Sequence, residues 1–181
     1  MNRLVVVGGG VRSGKSAFAL ARARAVGSRR AFVATARPID AEMRARIARH
    51  VEERAGSFVT IEAPLDVPGA IATLRDVDVA VIDCLTLWLS NLLLRGDAEE
   101  QIASGVDSLL RIIDEAMFPI VLVTNEVGMG VVPESALGRV FRDVVGRAHQ
   151  RIARSADELY LAVMGCIVRL RPGPVEVEAG A

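Results

Sequence analysis

The strongest constraint on this chain is an octad near its start. Residues 4–7 are an apolar run that leads into Gly9-Gly10-Val11-Arg12-Ser13-Gly14-Lys15-Ser16, the pattern Gly-x4-Gly-Lys-Ser, and a helical periodicity begins at once behind it. A strand that turns through glycines straight into a helix leaves the helix's first amides bare at its positive end, where backbone can curl round phosphate. Lys15 can reach the β and γ oxygens of a triphosphate, and the Ser16 hydroxyl is placed to ligate Mg2+. A glycine-rich turn with a chance Gly-Lys-Ser is the competing reading. The flanking strand and helix weigh against it, and so does composition: among 22 basic residues Lys15 is the one lysine. Arginine serves elsewhere, at Arg22, Arg24, Arg44 and Arg49 for example, as a coding bias would explain. A compact ammonium on a flexible stem does something in this motif that a planar guanidinium cannot.

At 181 residues the chain suits one domain, and 51% hydrophobic against 24% charged residues excludes a disordered protein. The 22 acidic residues cancel the 22 basic ones, which argues against non-specific nucleic-acid binding. The apolar stretch 85–94 is broken by Thr86, Ser90 and Asn91 and falls short of a bilayer span, so a soluble, cytoplasmic protein is expected. Cys84 and Cys166 are too few for a disulfide framework and read as reduced core residues.

Val-, Ile- and Leu-rich runs predict seven strands at 4–7, 31–35, 59–62, 77–83, 120–125, 159–164 and 167–170. Helical segments alternate with the first six: 15–26 ending at Gly27, 41–55 behind Asp40 as N-cap, a short piece after Pro68, one or two helices over 86–117, and 134–156. Alternation implies an α/β, P-loop NTPase-like three-layer fold with a mostly parallel seven-stranded sheet. The last two strands are separated only by Gly165 and Cys166, so one edge strand should be antiparallel. Residues 1–171 are expected to form a single nucleotide-binding transferase domain, and 172–181 a loosely ordered tail.

Further candidates surround the octad. Asp83 closes the apolar strand 79–83, where a carboxylate can bind the Mg2+ shell or simply end a strand. His50 follows Met43 and Ile47 near the apolar face of the 41–55 helix and is flanked at one-turn spacing by Arg46 and Arg54. It reads either as a satisfied or solvated helix histidine, or as a nucleophile against which those arginines hold a phosphate. His149 reads as a helix-surface residue. Asn125, Glu126 and the Gly128-Met129-Gly130 stretch follow the fifth strand at its carboxyl end and are expected to face an acceptor.

Taken with Ala34-Thr35-Ala36, Glu42-Met43, Arg46-Ile47, His50, Arg54, Asp83-Cys84-Leu85-Thr86, Asn125-Glu126-Val127-Gly128-Met129-Gly130 and Phe141-Arg142-Asp143, the octad resembles the bifunctional adenosylcobinamide kinase / adenosylcobinamide-phosphate guanylyltransferases of cobalamin biosynthesis. The resemblance runs to about residue 164. It implies phosphorylation of adenosylcobinamide with ATP or GTP, then transfer of GMP from GTP through a covalent histidine adduct, giving adenosylcobinamide-GDP and pyrophosphate. His50 is the matching histidine, and Lys15 is catalytic beside it. The nucleotide contacts so implied are Gly9 to Ser16, Ala34, Thr35, Ala36, Val51, Glu52, Glu53, Arg54, Glu62, Asp83 and Cys84, with Ser16 and Asp83 for Mg2+. Glu62 can accept from ribose hydroxyls or guanine N–H groups, or stand as a solvated strand end. A homotrimer is implied too, in which the stretch 87–94 meets a neighbouring subunit or else is an ordinary buried helix. Two other readings stand beside this one: another P-loop small-molecule kinase without guanylyltransfer, and a non-catalytic nucleotide-binding regulatory module. The second lacks the Asn-Lys-x-Asp guanine signature, which a chain with one lysine outside such a motif cannot contain.

Overall fold

The computed structural model describes residues 4–54, 56–173 and 176–179, excluding the side chains of Glu53 and of 176–179. Six strands run parallel: β1 (Leu4–Gly9), β2 (Arg30–Ala34), β3 (Val59–Glu62), β4 (Val79–Asp83), β5 (Ile120–Asn125) and β6 (Glu158–Val163). β7 (Cys166–Arg171) turns back antiparallel to β6 through Met164 and Gly165, whose φ values of 52° and 80° make the tight reversal. These are the seven expected strands. An eighth, β8 (Glu176–Ala179), comes from the tail segment and pairs antiparallel with β7, so the antiparallel strand lies one place in from the edge. The Glu176-Val177-Glu178 alternation suits a strand, and the bare edge of β7 supplies its hydrogen-bond partners. The order is β3-β2-β4-β5-β1-β6-β7-β8.

Because successive strand residues point to opposite faces, the sheet builds two cores. Val5, Val7, Val79, Val81, Val121 and Val123 pack under Phe18, Ala19, Leu20 and Ala23 of α1 (Lys15–Val26). Leu4, Val6, Ala80, Ile82, Ile120 and Leu122 pack on the other face against α3 (Val67–Thr73), α4 (Leu85–Arg95), α5 (Glu99–Glu115) and α6 (Ala136–Ser155). Caps fix where helices begin. Asp66 Oδ1 accepts from Gly69 N at 2.9 Å and starts α3, Ser135 Oγ accepts from Gly138 N at 3.1 Å and starts α6. The segment 86–117 divides into two helices because Gly96, at φ 99°, ends α4 by donating to the carbonyls of Leu92 and Leu93. Trp88, Leu89 and Leu92 are buried in their own core, leaving Leu94 as the exposed leucine of that apolar stretch. Among the described residues no helix is long and apolar enough to cross a membrane.

α2 (Ala41–Arg54) is different in kind. Asp40 caps it as expected, accepting from Met43 N at 2.7 Å. Met43, Ile47 and His50 are half-buried along one stripe, and Arg54 is the one buried side chain among those described on this helix. An otherwise exposed helix thus touches the body chiefly along one narrow seam.

Candidate active site

The site lies at the carboxyl edge of the parallel strands, where open α/β sheets leave room for ligands. β1 delivers Gly9 between β5 and β6. A Cβ on Gly9 would stand 2.5 Å from the Ala162 carbonyl oxygen and 2.7 Å from Ser13 Oγ, so a side chain there would force strand and loop apart. The loop then passes through Arg12 at φ 56° and Gly14 at φ 93°. Gly14 is the N-cap of α1 and has no side chain to offer, so the helix's first amides have no side-chain cap and can serve an anion. Ser13 Oγ is buried without a hydrogen-bond partner. Lys15 is 6% exposed, and its Nζ donates to the Gly10 carbonyl at 3.0 Å. Burial pulls its pKa below the ordinary lysine value, opposed by the neighbouring Asp83. Bare amides, an orphaned hydroxyl and a desolvated ammonium together are a set of donors that phosphate oxygens would complete.

α1 packs across β1, β5 and β4, and this carries Ser16 to the end of β4, two strands from where the loop began. Desolvation raises the pKa of the Asp83 carboxyl; a hydrogen bond from Ser16 and the charges of His50, Lys15 and Arg54 oppose that rise. The residues fit Mg2+: the Ser16 hydroxyl and the Asp83 carboxylate, joined by a hydrogen bond, are hard oxygen donors that would hold the ion together with phosphate oxygens and water. Among the described residues no group of three or more His, Cys, Asp or Glu is placed to hold a metal ion.

Beside Asp83 the chain is braced from below. Thr35 Oγ1 donates to the Cys84 carbonyl at 2.8 Å and accepts from Cys84 N at 2.7 Å, clamping the exit of β2 to the exit of β4. Asn91 Nδ2 holds the carbonyls of Thr35 and Pro64 at 2.8 and 2.9 Å. The Cys84 thiol is buried and pushed up to about 11, with desolvation the first cause, so its sulfur stays protonated. Ala34 pairs with Glu62, which is exposed at the end of β3, and Ala36 is half-buried beyond them. On the other side of Asp83, Asn125 donates both its backbone N–H and its Nδ2 to Thr86 Oγ1 at 3.0 Å, while its Oδ1 is buried without a hydrogen-bond partner. Glu126 N bonds the Gly9 carbonyl at 3.0 Å, and its carboxylate accepts from Gly128 N and Met129 N at 2.6 and 2.9 Å. The Gly128–Gly130 turn is therefore tied back beside the phosphate loop, with Met129 79% exposed above it.

α2 brings the remaining candidates. His50 and Arg54 lie within electrostatic reach of Asp83, and the Arg54 guanidinium carbon sits 3.6 Å from the centroid of the Phe32 ring. Val51 and Glu52 are exposed on the next turn; the Glu53 side chain lies outside the described residues. Two expectations are corrected. His149 is half-buried and not simply on the surface: α6 turns it against β5, where its Nε2 stands 2.7 Å from Thr124 Oγ1, and burial lowers its pKa. Cys166 is free but exposed, because it opens β7 beside the hairpin turn instead of pointing into a core. The sequence reading passed over Thr86, Asn91 and Phe32 as site residues. Asn91 gave a usable signal, since a buried amide among leucines must find backbone partners; the role of Phe32 depends on which helix lands on it.

Residues 5–170 match the sequence model of a family described as cobinamide kinase / cobinamide phosphate guanyltransferase. The bifunctional adenosylcobalamin biosynthesis protein CobU of Escherichia coli is 37% identical over 93% of this chain and 99% of its own length. The bifunctional adenosylcobalamin biosynthesis protein CobP of Pseudomonas aeruginosa is 39% identical over 92% of this chain and 96% of its own length. Salmonella typhimurium CobU is again 37% identical, over 93% and 99%. Among solved structures the RadB recombinase superposes with a TM-score of 0.56 over 98% of this chain and 86% of its own, at 17% identity, a likeness of fold alone.

Proposed function

The chain belongs to the cobinamide kinase / cobinamide phosphate guanyltransferase family, and from that premise we propose that it phosphorylates adenosylcobinamide with ATP or GTP and then carries GMP from GTP to the product through His50. The observation that carries this reading is the convergence on Asp83: Lys15 and Ser16 from the phosphate loop, and His50 and Arg54 from a separate helix, all act on one carboxyl. A kinase needs the first pair. A histidine brought near the same point from a separate helix is what nucleotidyl transfer adds.

In the first reaction the acceptor hydroxyl attacks the γ-phosphorus, the bond to the β-γ bridging oxygen breaks, and the hydroxyl proton leaves to solvent or a nearby base. Lys15 and the bare amides of α1 stabilise charge on the transferring group, and the Asn125–Gly130 rim faces the acceptor. Mg2+ bound through Ser16 and Asp83 would neutralise phosphate charge. In the second reaction a ring nitrogen of His50 attacks the α-phosphorus of GTP and pyrophosphate departs. The phosphate of adenosylcobinamide phosphate then attacks the same phosphorus and releases His50, giving adenosylcobinamide-GDP. Ala34 to Ala36, Val51 to Arg54, Glu62 and the Asp83-Cys84 exit form the rim on which base and ribose would lie. One loop holds the γ-phosphate for the first step, whereas the second needs the α-phosphorus beside α2. Either GTP takes two poses or α2 moves. The homotrimer that the sequence resemblance implies belongs to the same proposal.

Incubation with α-labelled GTP followed by denaturation tests this. The expected product is a protein-bound GMP that is acid-labile and base-stable, lost in His50→Ala while adenosylcobinamide kinase turnover remains measurable. A GMP label retained by His50→Ala removes that residue from the mechanism, and a wild-type protein that never labels leaves a kinase only.

A further inference from the structure

α2 poses a physical problem: a helix whose side chains are mostly exposed must nevertheless hold His50 to a fraction of its reach if the ring is to meet a phosphorus atom. The inward stripe of α2 is Met43, Ile47, His50 and Arg54, spaced at one-turn intervals; the first three are half-buried and the last is buried. Arg54 does not end in solvent. Its guanidinium lies 3.6 Å from the centroid of Phe32, a ring that is 3% exposed in the middle of β2 and meets Phe58 edge-on at 6.3 Å. Phe32 thus belongs to the rigid sheet, not to the helix it holds.

We infer that the Arg54–Phe32 stack is the anchor that seats α2 on the sheet and fixes where the helix carries His50, which makes Phe32 a positioning residue for guanylyltransfer. The geometry favours this over simple filling of space. A desolvated guanidinium over an aromatic face is held in place by the ring's quadrupole, an attraction that an aliphatic side chain of similar size does not supply. Arg54 lies about one turn beyond His50, so a displacement at the anchor passes directly to the imidazole. Phe58 offers a built-in comparison: it belongs to the same aromatic pair, but the cations over it are Arg24 and Arg30. The kinase step does not use His50 and should not depend on the anchor.

This inference rests on the proposed nucleophilic role of His50, and the experiment separates the two. Phe32→Leu keeps an apolar side chain in the core and removes the ring; Phe32→Met, which fills more of the same space, replaces it if Phe32→Leu does not fold. Phe58→Leu is the control. The expected result for Phe32→Leu is formation of the GMP adduct slowed about tenfold at saturating GTP, with kinase turnover within about twofold of wild type and amide hydrogen exchange across Ala41–Arg54 about tenfold faster. Phe58→Leu should leave adduct formation and α2 exchange near wild type. Unchanged exchange in α2, or adduct formation and kinase turnover falling together in Phe32→Leu, would overturn the anchor. If His50→Ala keeps the GMP label, the proposed function fails instead, and the exchange measurement still decides whether Phe32 seats the helix.

Discussion

Lys15 shows at the residue scale how a binding site is kept ready at the expense of the fold. Its ammonium is buried, and burial pulls its pKa below the ordinary lysine value of 10.5. A lowered lysine pKa means that the folded state resists the proton; the resulting destabilisation is fully present below the folded pKa, fades as the pH rises from there towards 10.5, and is gone above it. A bound triphosphate would oppose this penalty by supplying negative charge beside the ammonium. Lys15→Ala should therefore reduce adenosylcobinamide phosphorylation about a hundredfold or more, while the Tm of the ligand-free protein stays level or rises. Lys15→Arg should also lose most turnover, because a planar head does not fit a pocket sized for an ammonium. Near-normal phosphorylation by either variant would show that the phosphate site is misassigned.

At the scale of the element, α1 is tied to β4 at both ends. Its N-terminal turn gives the Ser16 hydrogen bond to Asp83 at the carboxyl end of the strand. Past its C-terminus, Asp78, just before β4, accepts from Ser28 N at 3.0 Å, Arg29 N at 2.9 Å and the Arg29 side chain at 2.7 Å. Gly27 has to be glycine here, since a Cβ would lie 2.4 Å from Asp78 Cβ. The Arg29 side-chain and backbone hydrogen bonds hold the Asp78 carboxyl down at about 2. A depressed carboxylate pKa adds stability that is complete above the ordinary value of 3.8 and is lost as the pH falls from there towards about 2. The pair is exposed and screened by solvent and salt, so the effect is modest. Asp78→Asn should lower the Tm by a few degrees at neutral pH and flatten its decline through the same acid window. A variant with an unchanged acid limb would show that this junction is held by the backbone alone.

At the scale of the whole molecule, ligand binding should be legible as stability, because the loop, Asp83 and α2 come together only in the folded chain. A nucleotide that binds the native state at a hundred times its Kd adds about 2.7 kcal/mol. Mg2+–GTP should accordingly raise the Tm of the wild-type protein and of His50→Ala, and leave Lys15→Ala almost unmoved. If His50→Ala lost the shift as completely as Lys15→Ala, His50 would belong to ground-state binding and not to the transfer step.

Local sequence was enough for what local physics dictates. Val, Ile and Leu runs marked β3 and β5 to the residue, glycine placed the end of α1, Asp40 placed the start of α2, and the octad identified a phosphate loop before any coordinate was needed. Each of these is settled within a few residues, by side-chain period, by φ at a glycine, or by a cap one turn away. The tertiary structure decided the rest. The strand order that lets α1 carry Ser16 to Asp83, the turn of α6 that sets His149 against Thr124, and the seating of Arg54 on Phe32 all join residues from 22 positions apart upward, as in the Phe32–Arg54 stack itself. A residue's own periodicity tells it to face inward; which strand or ring it meets there is set by how every other element packs, and no window along the chain contains that information.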